Sequence, residues 1–396
     1  MRLRSFACLA LVLALSACAT TTPPEVRETP ERPAEADFAL SPASFADLPG
    51  WSSADLAPAL TAFRRSCDGR RLRDPTAPLA NGARYGGTVA DWASACAAAQ
   101  NVAPGGERQF FETYFMPHAV RSSGEARLTA YFEPIIQARR APEGMFTEPL
   151  LRPPSDMVSI DLAAFAEAYD NEALRGAPRR LTGQLNGNEV RPYPQRGQIT
   201  PYQGQAFAYA HPVDVYNLQI QGSGRIAFPD GAQTRAAYAA QNGYRWRSAL
   251  AALRDSGQLQ GATWANFRAW SDRNGVAATR QALNVDPSYV FFQEEPIEDP
   301  SAGPRGAAGV PLTPLGSIAV DPAYHPYGAV VFVDGTYAGA PFQRLLVAQD
   351  TGGAIRRGPL RGDVFWGSGP EAGRAAEQMN GPAHWWTLLP RGAPIA

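Results

Sequence analysis

Three aspartates in the last quarter of the 396-residue chain stand where a carboxyl group could do chemistry. They are Asp321 in Ser-Ile-Ala-Val-Asp-Pro, Asp350 in Val-Ala-Gln-Asp-Thr-Gly-Gly-Ala-Ile, and Asp363 in Arg-Gly-Asp-Val-Phe-Trp-Gly-Ser-Gly. An acid that arrives as a short apolar strand ends is held at the mouth of a sheet or barrel. Asp321 before Pro322 reads equally as a turn former, and Asp350 before Thr-Gly-Gly as the cap of a tight turn. Asp363 differs, because Val364, Phe365 and Trp366 follow it directly. Apolar neighbours disfavour the ionised carboxylate and raise its pKa. A carboxyl group that keeps its proton near neutral pH is what general-acid catalysis requires.

The elements that must position these acids are short. Ser317 to Val320, Ala329 to Val333, Arg344 to Gln349, Asp363 to Trp366 and Trp385 to Leu389 read as strands separated by turns, the pattern of a small closed barrel. The first third is helical instead: Leu56, Leu60 and Phe63 recur at helical spacing before Cys67, as do Trp92, Ala95, Cys96 and Ala99. Glu107 to Phe115 makes a third short helix. From Ala126 to Phe132 the period becomes two, with Arg127, Thr129 and Tyr131 on one side and Leu128, Ala130 and Phe132 on the other. The middle, to about Ser301, mixes turns with strands at Phe207 to Ala210 and Asp214 to Ile220, and with a helical stretch from Arg235 to Leu253 broken at Asn242-Gly243. The Pro-rich segment Glu294 to Gly309 marks a domain boundary.

The net charge is −1 and all 36 basic residues are Arg. That balance gives no bulk attraction to nucleic acid, and no Lys exists for a phosphate loop or a Schiff base. His118, His211, His325 and His384 lack ligand spacing, so no metal or other cofactor is implied. Met-Arg-Leu-Arg and the apolar run Phe6 to Leu15 form a secretory signal over residues 1–17. Leu15-Ser16-Ala17-Cys18 resembles a bacterial lipobox, which would make Cys18 the lipidated N-terminus, the alternative being an ordinary secreted protein cut near Ala19, and residues 18–37 read as a tether. The remaining length, about 360 residues, points to two domains. Cys67 and Cys96 could pair in an oxidising compartment or simply be buried on helical faces, and the sequence leaves both open.

Segments along nearly the whole mature chain resemble the membrane-bound lytic murein transglycosylase A family: Leu48-Pro49-Gly50-Trp51, Leu128-Thr129-Ala130-Tyr131-Phe132-Glu133-Pro134, Ile220-Gln221-Gly222-Ser223-Gly224-Arg225-Ile226, Pro287-Ser288-Tyr289-Val290-Phe291-Phe292 and the aspartate motifs. The resemblance implies a mainly β fold with helices: a double-psi β-barrel domain from residues 38–136 and 303–396, with an inserted second β domain at 137–302. It implies Asp363 as catalytic acid, Asp350 beside it and Asp321 in support. It also implies substrate contacts from Thr129, Tyr131, Gln221, Ser223, Gly352 and Trp366. Tyr131 and Gln221 read equally as interior strand residues, and Trp366 as core rather than a sugar-stacking face. Ala130 and Phe132-Glu133 depart from the usual pattern and put sugar contacts there in doubt.

The implied reaction cuts between N-acetylmuramic acid and N-acetylglucosamine and leaves 1,6-anhydromuramoyl ends. The implied partners are peptidoglycan strands, the membrane through the Cys18 lipid at the periplasmic face of the outer membrane, and a wall-synthesis complex. A non-catalytic wall-binding protein and a two-carboxylate hydrolase using Asp350 are the alternatives.

Overall fold

In a computed structural model the described residues are 37–70, 73–80, 84–175, 180–199 and 205–394. The signal segment, Cys18 and all of the tether before Asp37 lie outside them. Helix Ala57–Arg70 buries Leu60, Phe63 and Cys67, the positions its period places on one face. Ala93–Ala99 and Glu107–Tyr114 pack beside it. Cys67 and Cys96 form a disulfide, which decides the alternative left by the sequence.

These helices cover one part of a nine-stranded mixed sheet. Its order is Ala39–Pro42, Phe115–Arg121, His384–Pro390, Val330–Tyr337, Ala340–Asp350, Ser317–Val320, Arg361–Ser368, Arg127–Glu133 and Asn380–Gly381. Two neighbouring pairs are parallel: Ser317–Val320 with Ala340–Asp350, and Arg361–Ser368 with Arg127–Glu133. The sheet coils over its own core. A Cβ at Gly362 would lie 2.4 Å from the Trp385 ring, and one at Gly335 would lie 3.2 Å from Ala383 and 3.3 Å from Leu128, so distant strands touch through glycine gaps. No hydrogen-bonded closure joins the first and last strands among the described residues. Helix Ala57–Arg70 fixes the Asp350 strand from behind, because Gln349 Nε2 donates to Ala62 O and Ser66 Oγ, both at 2.8 Å.

A six-stranded sheet runs in the order Val290–Glu295, Gln233–Gln241, Gly224–Ala227, Ile135–Arg139, Ala206–Ala210 and Glu148–Leu151. A three-stranded sheet comprises Met157–Asp161, Arg180–Asn186 and Glu189–Pro192. The observed architecture is β-rich with helices, as expected.

Several local expectations fail, each for a tertiary or capping reason. Asp214 to Ile220 is not a strand but part of helix Pro212–Gln221. His211 accepts the Val213 N–H, Pro212 occupies the first turn and Gly222, at φ 86°, closes the end, so capping outweighs a short alternation. The alanine-rich start of the expected helix Arg235 to Leu253 is strand Gln233–Gln241, trapped between two others, and helix begins only at Ala249. Pairing on both edges supplies backbone partners that override alanine's helix propensity. Four further α-helices were not foreseen: Leu162–Ala168, Glu172–Arg175, Trp264–Leu283, and Gly369–Ala376 inside the C-terminal run of strands.

Candidate active site

Strands Arg127–Glu133 and Arg361–Ser368 run parallel with Thr129 opposite Asp363 and Tyr131 opposite Phe365. Because side chains alternate, Arg127, Thr129 and Tyr131 share one face with Arg361, Asp363 and Phe365. Thr129 Oγ1 donates to Asp363 Oδ1 at 2.5 Å. Tyr131 Oη donates to Asp350 Oδ2 at 2.7 Å, and the Ala307 N–H donates to Asp350 Oδ1 at 2.9 Å. Two successive same-face residues of one strand therefore hold the two acids.

Burial pushes the Asp363 carboxyl up to about 6 from its ordinary 3.8, the Thr129 hydrogen bond and the Arg361 charge pull it back, and Asp350 adds to the rise. Burial also raises Asp350, against the Tyr131 and Ala307 hydrogen bonds. The Tyr131 phenol is pushed well above its ordinary range by burial and by both acids. The result is a carboxyl group able to carry a proton near neutral pH, with Oδ2 accepting no hydrogen bond among the described residues.

Asp321 does not reach this face. Its Oδ1 accepts the Ala323 N–H at 3.1 Å and its Oδ2 the Gly358 N–H at 3.0 Å, tying the turn after Ser317–Val320 to the loop that leads into the Asp363 strand. Gly352 lies in that loop, its carbonyl accepting from Ile355 N at 2.9 Å. Gln221 Oε1 accepts the Phe132 N–H at 3.3 Å, so the end of helix Pro212–Gln221 is pinned to the Thr129 strand, and Ser223 is buried just beyond. Trp366 is not brought to Asp363. It stands an odd number of residues away on the same strand and faces Tyr337 and Phe342, with ring centroids 4.6 and 5.7 Å away, in a separate cavity of about 410 Å³. Among the described residues no group of three or more His, Cys, Asp or Glu could hold a metal, and no helix is long and apolar enough to cross a membrane.

Residues 127–293 match the MltA specific insert domain and residues 316–389 match the 3D domain. The crystal structure of a membrane-bound lytic murein transglycosylase from Agrobacterium tumefaciens is 32% identical, with a TM-score of 0.73, over 89% of this chain and 98% of that one. The chain belongs to the membrane-bound lytic murein transglycosylase A family. The Escherichia coli K12 enzyme of that name is 29% identical over 292 residues, 71% of this chain and 70% of the relative. The structure of E. coli MltA with bound chitohexaose is 25% identical, with a TM-score of 0.59, and covers 89% of this chain and 94% of that one.

Within this member of the family, sequence reasoning missed two charged groups beside the site. Glu133, at the end of the Thr129 strand, is buried and accepts from Arg225 at 2.9 Å, Arg235 at 2.6 Å and Ser368 Oγ at 2.6 Å. The same arginines donate to the Ala302 carbonyl, so one buried carboxylate joins both large sheets to the connecting loop. The second group is the pair Arg127 and Arg361, which stand opposite one another two residues before Thr129 and Asp363. The alternation in Arg127-Leu128-Thr129 carried a trace of it, but the pairing with Arg361 lies beyond local pattern.

Proposed function

We propose that this lytic murein transglycosylase uses Asp363 to protonate the oxygen between N-acetylmuramic acid and the following N-acetylglucosamine. The bond from C1 to that oxygen breaks as C1 gains oxocarbenium character. The C6 hydroxyl of the same muramoyl ring then attacks C1, and the Asp363 carboxylate accepts the O6 proton. The products are a 1,6-anhydromuramoyl end and a free 4-hydroxyl on N-acetylglucosamine, with no water consumed. The nucleophile is already tethered beside C1, so intramolecular effective concentration replaces a second activated group. The observation that carries this reading is the Asp363 carboxyl, raised to about 6 and held through one oxygen by Thr129 while the other accepts no hydrogen bond among the described residues.

Asp350 is read as a positioning acid that acts through Tyr131. Both its oxygens already accept hydrogen bonds, which favours this role over activation of water. Thr129, Tyr131, Gln221, Ser223 and Gly352 are taken to line or shape a glycan groove, between a barrel formed by residues 38–136 and 303–396 and an insert at 137–302. The chitohexaose bound to the E. coli relative supports a β-1,4 glycan as the occupant. Attachment to the outer membrane through Cys18 and the 18–37 tether completes the proposal, and Cys18→Ser should leave the protein without its lipid anchor and with its signal segment uncleaved by the lipoprotein peptidase, whereas an acylated mature species would refute it.

The product decides the mechanism. Purified peptidoglycan digested in heavy-oxygen water should release unlabelled fragments lighter by one water than hydrolysed ends. Labelled reducing ends would establish a hydrolase, and binding without soluble fragments would establish a wall-binding module.

A further inference from the structure

The face that carries Asp363 also carries two arginines side by side. Arg127 and Arg361 are register partners on parallel strands, each two residues before Thr129 and Asp363 respectively, a separation of about 6.6 Å along the strand. Like charges directly opposite one another destabilise a sheet, and the acid that acts on Arg361 is Asp363 itself. Arg127 Nε donates to Asn380 Oδ1 at 3.0 Å, and Arg361 donates to the Arg127 and Gly362 carbonyls. Neither makes an ion pair among the described residues. Burial holds the Arg361 guanidinium below its ordinary value, Asp363 opposes this, and Arg127 and Arg357 add to it. Arg361 thus feels two other cations, and it is the one of the three that acts on the Asp363 carboxyl.

We propose that Arg127 and Arg361 form a carboxylate-reading subsite for the acidic substituent on O3 of the muramoyl residue being cut. This rests on the transglycosylase reading and specifies the substrate of the same site. The substituent hangs from the ring whose C1 reacts, so a proton donor at C1 and a cation about two strand residues away fall within one sugar residue. N-acetylglucosamine carries no such acid, and neutral chitin-like glycans would leave the arginine pair unmatched. The carboxylate has two sources: the lactyl group itself in peptide-free strands, or the stem peptide attached to it.

The test measures kcat/KM on three substrates: peptide-free glycan with free lactyl carboxylates, the same polymer with those groups converted to neutral methylamides, and peptide-bearing peptidoglycan. A charge-assisted contact predicts that the wild-type enzyme prefers the free carboxylate to the amide by about tenfold or more, chiefly through KM. Arg361→Gln and Arg127→Gln should bring that ratio close to one, and Arg361→Lys should restore part of it. Arg127 is exposed, so its variant reports even if Arg361→Gln folds poorly. A wild-type ratio near one, with both variants impaired only on peptide-bearing strands, assigns the subsite to the stem peptide. Wild-type discrimination retained by both variants on every substrate overturns the proposal. Anhydro products absent from all three substrates with the wild-type enzyme would instead remove the mechanism on which it rests.

Discussion

Asp363→Asn should stabilise the protein while it destroys the activity. The carboxyl is displaced from 3.8 to about 6 because burial disfavours its charged form. At about 1.36 kcal/mol per pH unit, that corresponds to about 3 kcal/mol of native stability given up when the group ionises. Since the folded value is the higher one, stability is full below pH 3.8, declines as the pH rises towards 6 and stays reduced above it. The amide has no charge to desolvate, its oxygen can still accept from Thr129, and its NH₂ can face the groove. Urea denaturation of both proteins at pH 4 and pH 8 should therefore show little difference at the lower pH. At the higher pH the variant should be more stable by about 2–3 kcal/mol. A variant less stable than wild type at pH 8, or a difference independent of pH, would refute desolvation as the source of the raised value. Cleavage should be lost at both pH values, because an amide cannot donate the proton.

Activity that depends on protonated Asp363 should fall about tenfold per pH unit above about 6, and a profile flat to pH 8 would contradict the general-acid role. Thr129→Val removes a donor that favours the charged carboxylate, so this limb should move up by about one pH unit, and a downward move would be inconsistent. Asp350→Asn removes a charge that raises Asp363, so the limb should move down while kcat falls by about 100-fold; an unchanged rate and profile would reduce Asp350 to a loop tie. Replacing Cys67 and Cys96 together with Ser opens a cross-link spanning 29 residues and should lower stability by about 3–4 kcal/mol, read by denaturation with and without reductant.

Local pattern was enough to place Ser317–Val320 as a strand and to put Arg127, Thr129 and Tyr131 on one side of another, since period and side-chain direction are set by neighbours along the chain. The apolar residues after Asp363 likewise announced a carboxyl group that would resist ionisation, and the structure gives that displacement the same cause. Non-local contacts decided the rest. Gln233–Gln241 became a strand because two partners satisfied its backbone, and Trp366, already set by strand alternation on the face opposite Asp363, met Tyr337 and Phe342 only through the fold. The disulfide was chosen only when two helices packed. Above all, Thr129 and Asp363, 234 residues apart, meet because two strands align in one register, and a slip of one residue would turn either side chain to the opposite face. The sequence by itself determined which residues could carry the chemistry. Only tertiary packing, which fixes register between strands distant in the chain, decided that Thr129 should hold Asp363 and that Arg127 and Arg361 should stand together beside it.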